Sequence, residues 1–202
     1  MSFSYSKYNL FYLPFSACLL FFILFLRIYF NVYLDTPLHF DEAQYWSWSQ
    51  NLEWGYFSKP PVLAWIIGIS SYVCGDTEFC IRLPVPILYF IATIFIFLST
   101  RLLTQNNFIS SFSAIIFYLI PGITFSSFIT TTDVPLILFS SAFIFLFLII
   151  YKKHNPSYFY FFLLGIIFSL GFLSKYAMVY FLFSIFIATF SFKNVRTKIL
   201  NL

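Results

Sequence analysis

Residues His39 to Pro61 read HFDEAQYWSWSQNLEWGYFSKPP, and they interrupt a chain that is otherwise mostly Phe, Ile and Leu. Counted with Asp35 just upstream, the stretch gathers four of the seven acidic residues, and it carries three of the four tryptophans. Lys59 stands near its end, against a Pro-Pro pair. Charges kept beside a bilayer are costly, so a cluster of them between apolar runs marks a functional site. The stretch is therefore expected to form half of an active site on the face away from the cytoplasm. The remaining chain holds it at the membrane surface.

Composition agrees with that division. Of 202 residues 61% are hydrophobic and only 9% charged, against about 25% charged in soluble domains; this surface faces lipid. Tyr and Trp concentrate where apolar runs end, as rings anchored at headgroup level do. Six Gly and nine Pro exclude a collagen-like or linker-rich chain. The formal charge of +4 comes from basic residues in ones and twos between apolar runs, which orients a membrane protein rather than binding nucleic acid. Cys18, Cys74 and Cys80 make no metal-binding pattern. Cys18 lies mid-span and is read as inert. Cys74 and Cys80 fall on one side, where an oxidising compartment would permit a disulfide, but spacing alone leaves the pairing open.

A spanning helix needs about 20 apolar residues. Six segments approach that: 10–30, 84–104, 108–129, 134–151, 157–174 and 176–192. The first is too long for a signal peptide and lacks a small-residue cleavage site, so it reads as an uncleaved anchor. With the N-terminus inside, Lys7, Arg101, Lys152, Lys153, Lys193, Arg196 and Lys198 are cytoplasmic, and Arg27, Lys59, Arg82 and Lys175 are outside. The basic bias favours this orientation. All seven acids fall outside, which a carboxylate-dependent site on that face explains. Within the first outer loop, Asp41 to Asn51 reads as a short helix, its early acid suited to the helix dipole. Pro61 opens a second, interfacial helix running to Gly75. The fold class is an all-α polytopic membrane protein of about six spans, one domain over 1–202.

Several polar residues admit both a chemical and a plain role. Asp41 and Glu42 are adjacent, about 100° apart on a helix, so they cannot share one proton; one is a general-base candidate, and the alternative is a solvated helix start. His39 reads as an interfacial side chain. Lys59, framed by prolines, suits a phosphate, or snorkels to lipid headgroups. Arg82 suits bidentate phosphate binding, or pairs with Glu78 four residues earlier. Asp133 either contacts a polar substrate or caps the fourth span. Lys175 is a phosphate contact or a snorkelling helix end. No Walker loop, Rossmann glycine pattern, HExxH or GxSxG occurs.

The run DEAQYWSWSQNLEWGYFSKPPVLAWII, followed by GDTEFCIRLP, TTDVPLILF and LGFLSKYAMVY, resembles the bacterial GT-C membrane glycosyltransferases, specifically the aminoarabinose transferase and protein mannosyltransferase group. The four blocks cover about residues 35–185. The resemblance implies that Asp41 is the candidate catalytic base and that Lys59 contacts the donor phosphate, and it matches Arg82, Asp133 and Lys175 to further positions of the family's blocks. The mechanism expected from these residues adds Arg82 and Lys175 to the phosphate contacts and keeps Glu42 as the next candidate base. Asp133 and Tyr45 are expected on the substrate. Family members continue through further spans, so the chain looks C-terminally truncated.

The expected reaction transfers a sugar from a polyprenyl-phosphate donor, with inversion, to a hydroxyl of lipid A, polysaccharide or protein. It takes place on the periplasmic face of the bacterial inner membrane. No cofactor or metal site is indicated. A lipid-linked sugar flippase and an inactive fragment are the competing readings; a flippase predicts charges deep within the spans and broken helix pairs.

Overall fold

A computed structural model of the chain describes residues 3–33, 36–153, 155–192 and 195–196. Asp35, Lys193 and Lys198 lie outside the described residues. Helices build the whole fold, and no strand occurs among the described residues.

The first apolar run forms α1 (Phe3–Tyr33). Its buried residues Ser16, Leu20, Arg27 and Asn31 recur at helical spacing and line one face, whereas Phe21, Phe22 and Phe25 are exposed. The polar loop then resolves into α2 (Phe40–Ser49), α3 (Val62–Cys74) and α4 (Glu78–Arg82). α2 ends two residues before the expected Asn51. Gly75 stops α3 in a conformation with φ of +94° that side-chain-bearing residues rarely adopt. Thr77 caps α4 by accepting from the Cys80 N–H. Cys74 and Cys80 are joined by a disulfide, which resolves the pairing left open by spacing.

α5 (Pro84–Thr104) continues the direction of α4, so that Glu78–Thr104 forms one apolar stretch of 27 residues. The expected third span, 108–129, is broken instead. α6 (Asn107–Leu119) stops, Ile120 swings to ψ 131°, and a short α7 (Pro121–Ser126) follows. Proline supplies no N–H at 121 and disfavours a helical residue before it. α8 (Asp133–Lys152), α9 (Tyr158–Phe172), a 3₁₀ turn (Tyr176–Met178) and α10 (Val179–Ser191) complete the fold.

All six expected apolar segments are helical, and three are long and apolar enough to cross a membrane: Tyr12–Tyr33, Glu78–Thr104 and Asp133–Lys152. The 15-residue α9 extends only about 22 Å at 1.5 Å per residue, short of a hydrocarbon core of about 30 Å.

The main core joins α1, α5, α6 and α8 through Leu20, Val85, Tyr89, Phe90, Ala114, Tyr118 and Val134. A second cluster of Tyr45, Leu63, Ile67 and Ile81 seats α2 and α3 on α4. At the C-terminal end of α8 the Lys152 ammonium donates to the Leu102 carbonyl, and Lys153 reaches the Tyr160 hydroxyl at 2.6 Å. Asn106 caps α6 through the Phe108 and Ile109 N–H groups. The polar chemistry lies at the opposite end.

Candidate active site

Glu42 and Arg82 meet at that end, buried to 1% and 4% exposure, with Arg82 Nη2 2.7 Å from Glu42 Oε2. Arg82 Nε also donates to Glu42 Oε1 at 3.1 Å. Nη1 donates to the Thr36 carbonyl and hydroxyl, and Nη2 to the Pro37 carbonyl. These contacts use all five guanidinium N–H donors. Glu42 is equally occupied: Oε1 also accepts from the Thr130 N–H at 2.8 Å and Oε2 from the His39 N–H at 2.9 Å. Burial pushes the Glu42 carboxyl up, but Arg82 and the two backbone N–H groups outweigh it and hold the group below its ordinary value.

Arg82 pairs with Glu42, forty residues away, and not with Glu78, which corrects that alternative. Its five N–H groups, expected on a donor phosphate, are engaged within the fold, and each oxygen of Glu42, expected as the next base, accepts two hydrogen bonds. Together they are a frame that ties the loop before α2 and the segment leading into α8 to the end of α4.

About 100° around α2 from Glu42, Asp41 is exposed, and among the described residues its carboxylate makes no ion pair. Tyr45, one turn on, is buried to 3% exposure. Burial raises its phenol above the ordinary value, the charges of Asp41 and Asp133 push the same way, and a hydrogen bond with Thr132 opposes them. One phenol thus lies within electrostatic reach of both carboxylates. Asp41 and Asp133 therefore share one end of the bundle.

Asp133 is the first residue of α8, and Thr132 stands at the N-cap, so the capping reading of Asp133 does not apply. Its carboxylate instead meets Lys175 Nζ at 2.6 Å, with side-chain exposures of 51% and 40%. A half-exposed pair of this kind contributes about 0–1 kcal/mol and is readily exchanged. Lys175 is held by a tight turn in which Ser174 and Lys175 N–H groups both bond the Gly171 carbonyl. A Cβ on Gly171 would sit 2.9 Å from Met178 Sδ, so the glycine permits this turn to close.

The Lys59 block reaches the same place. The Tyr56 hydroxyl accepts from the Glu53 N–H and bonds the Trp48 and Asn51 carbonyls, pinning the loop. Pro60 and Pro61 are buried, and the Val62 N–H donates to the Leu173 carbonyl at 3.1 Å. Lys59 and Lys175 thus flank one backbone hydrogen bond, three and two residues away in sequence. Lys59 itself is exposed. On the other side of α2, Trp46 Nε1 donates to Asp76 at 2.8 Å, a bond that lowers the Asp76 carboxyl, and Gln50 adds a second donor. Among the described residues no three His, Cys, Asp or Glu side chains gather to hold a metal ion.

The four blocks of sequence therefore converge at one end of the bundle. Residues 58–201, well over half the chain, match the dolichyl-phosphate-mannose-protein mannosyltransferase family. The chain belongs to this family. It is also 31% identical, over 146 residues and 72% of its length, to the lipid A galacturonosyltransferase RgtD of Rhizobium johnstonii. It spans 30% of that relative's length. No solved structure matches. Of the site residues in this mannosyltransferase-family chain, Lys59, Arg82, Asp133 and Lys175 lie inside the matched region, and Asp41, Glu42 and Tyr45 precede it.

Reading the sequence did not single out Thr130 and Thr132 by role, although the threonine triplet before Asp133 was the available signal. It also passed over Arg27, whose signal is a lone charge inside an apolar run.

Proposed function

We propose that the site transfers a sugar from a polyprenyl-phosphate donor to an acceptor hydroxyl at the outer membrane surface, with inversion. The exchangeable Lys175–Asp133 pair beside the uncommitted Asp41 carries this reading. When the donor enters from the outer leaflet, Lys175 leaves Asp133 for the phosphate, and Lys59 supplies a second positive charge. The phosphate departs as the leaving group, and stabilising its developing charge is the main catalytic contribution. Asp41 accepts the hydroxyl proton as the oxygen attacks the anomeric carbon from the opposite side. Asp133, released from Lys175, and the Tyr45 phenol hold the sugar or the acceptor. These steps require no cofactor.

The similarity to a lipid A galacturonosyltransferase supports a lipid A-type acceptor, and a bacterial inner membrane with the site facing the periplasm. The Cys74–Cys80 bond on the site's side supports that orientation, because disulfides persist in oxidising compartments. Protein isolated from membranes under denaturing, non-reducing conditions is expected to take up a thiol reagent at Cys18 alone, and at all three cysteines after reduction. Labelling of three cysteines without reductant would argue for a reducing surroundings and a reversed topology.

The direct test incubates the full chain in lipid nanodiscs with polyprenyl phosphates carrying galacturonic acid, mannose or aminoarabinose, plus lipid A, and follows release of polyprenyl phosphate. One donor is expected to turn over. Lys175→Met should raise the KM for it by about tenfold or more, the worth of a hydrogen bond to a charged group. No turnover with any donor, or an unchanged KM, would sink the reading.

A further inference from the structure

Arg27 is buried within the membrane-length apolar helix α1 and, unlike Arg82, has been given no role above. Its side chain is 3% exposed, six residues from the outer end of α1. Nη2 donates to the Tyr118 carbonyl at 2.5 Å and to the Thr124 hydroxyl at 3.1 Å. The guanidinium lies 3.9 Å from the centre of the Tyr118 ring, at a distance where cation–π attraction is substantial.

The two acceptors stand on opposite sides of the break at Ile120 and Pro121. Tyr118 belongs to the last turn of α6, where helix carbonyls lose their intrahelical partners. Thr124 belongs to α7. Arg27 therefore bridges the elbow between them. Beyond the elbow the chain makes a series of contacts on its way to Asp133. The Ser127 hydroxyl donates to the Thr124 carbonyl at 2.6 Å. The Thr130 N–H donates to Glu42 at 2.8 Å and its hydroxyl to the Ile81 carbonyl at 3.2 Å, and Ser126 and Thr132 stand beside the Tyr89 and Tyr45 phenols. Tyr89, buried between α5 and the elbow, feels the charges of both Arg27 and Asp133. Unlike Arg82, Arg27 meets no carboxylate among the described residues. A charge retained at such cost in an apolar helix is expected to have a function.

We propose that Arg27 is a positioning residue for the outer-face site: it braces the elbow at 120–124 and through it fixes the segment 126–133 that carries Thr130, Thr132 and Asp133. This inference rests on the reading of that site as the place of transfer, but the brace itself can be tested without substrate. Arg27→Met keeps the length and removes the charge; Arg27→Lys keeps one ammonium able to reach both acceptors.

Hydrogen exchange of the nanodisc-embedded full chain should rise about tenfold or more in peptides covering 120–132 in Arg27→Met, with α8 and α5 still protected. In Arg27→Lys it should return most of the way. Turnover should fall on the order of 10²-fold in kcat, the cost of a misplaced group, with donor KM changed less than about threefold because the lysines that meet the phosphate are untouched. Unchanged exchange at 120–132 would overturn the brace. Raised exchange with kcat intact would overturn the positioning role. If the wild-type chain transfers nothing, the functional reading fails, and the exchange pattern still decides whether Arg27 braces the elbow.

Discussion

Glu42→Gln and Arg82→Met are each expected to lower the unfolding free energy by about 3–5 kcal/mol, the cost of leaving one member of a buried ion pair without its partner. The magnitude follows from saturation. More than nine-tenths of each side chain is out of solvent, and the pair makes two hydrogen bonds within itself and five to Thr36, Pro37, His39 and Thr130. Removing the carboxylate strands a guanidinium with only neutral acceptors. Removing the guanidinium strands a carboxylate with two backbone donors. The double variant should lose less than the sum of the two singles, because neither charge is then left alone. Denaturant unfolding in detergent micelles would measure all three, and single variants within about 0.5 kcal/mol of wild type would show that the pair frames nothing.

The same pair sets an acid limit. Glu42 is held below its ordinary value of 4.5 in the folded state. A lowered carboxyl contributes stability that is fully present above the unfolded value and is lost as the pH falls through the folded one. Wild-type stability should therefore decline below about pH 4.5, and Glu42→Gln should flatten that part of the profile while lying below wild type at neutral pH.

Much of this arrangement was legible in the sequence, for physical reasons that also mark where legibility stops. Apolar length identifies the helices, and the polar loop stands out because charge beside lipid needs a reason. Partner choice is different. On sequence, the acid nearest Arg82 in helical spacing is Glu78, since residues four apart share a helix face. Glu78 lies in the first turn of the five-residue α4 and is exposed; the pair that wins is set by how the loop before α2 folds back over α4. Of the two readings of Asp133, the cap falls one residue earlier, at Thr132, and the link of Asp133 to Lys175 spans 42 positions. The break after α6 did carry a signal, Pro121, which the surrounding apolar run masked. Arg82 and Lys175 look alike as isolated cations. Only burial separates the one that is spent on the frame from the one that is free to exchange.

Asp41→Asn should do the reverse of Glu42→Gln, one position away. Transfer is expected to fall by about 10²- to 10⁴-fold, the range for loss of a general base, while stability changes by no more than about 1 kcal/mol, the worth of an exposed acid at a helix N-terminus. The asymmetry has a geometric cause. α2 turns Glu42 inward to Arg82, and the 100° step to its neighbour leaves Asp41 exposed on the side sensed by Tyr45, where Asp133 is also sensed. An amide at 41 keeps the shape and loses the ability to take the acceptor proton. If Lys175 carries the phosphate, donor KM should stay near wild type in Asp41→Asn and the whole loss should appear in kcat. Kinetics with the preferred donor, paired with unfolding of the same preparation, would test both halves. Retained kcat would remove the base from Asp41, and Glu42 would have to give up some of its four hydrogen bonds to take its place.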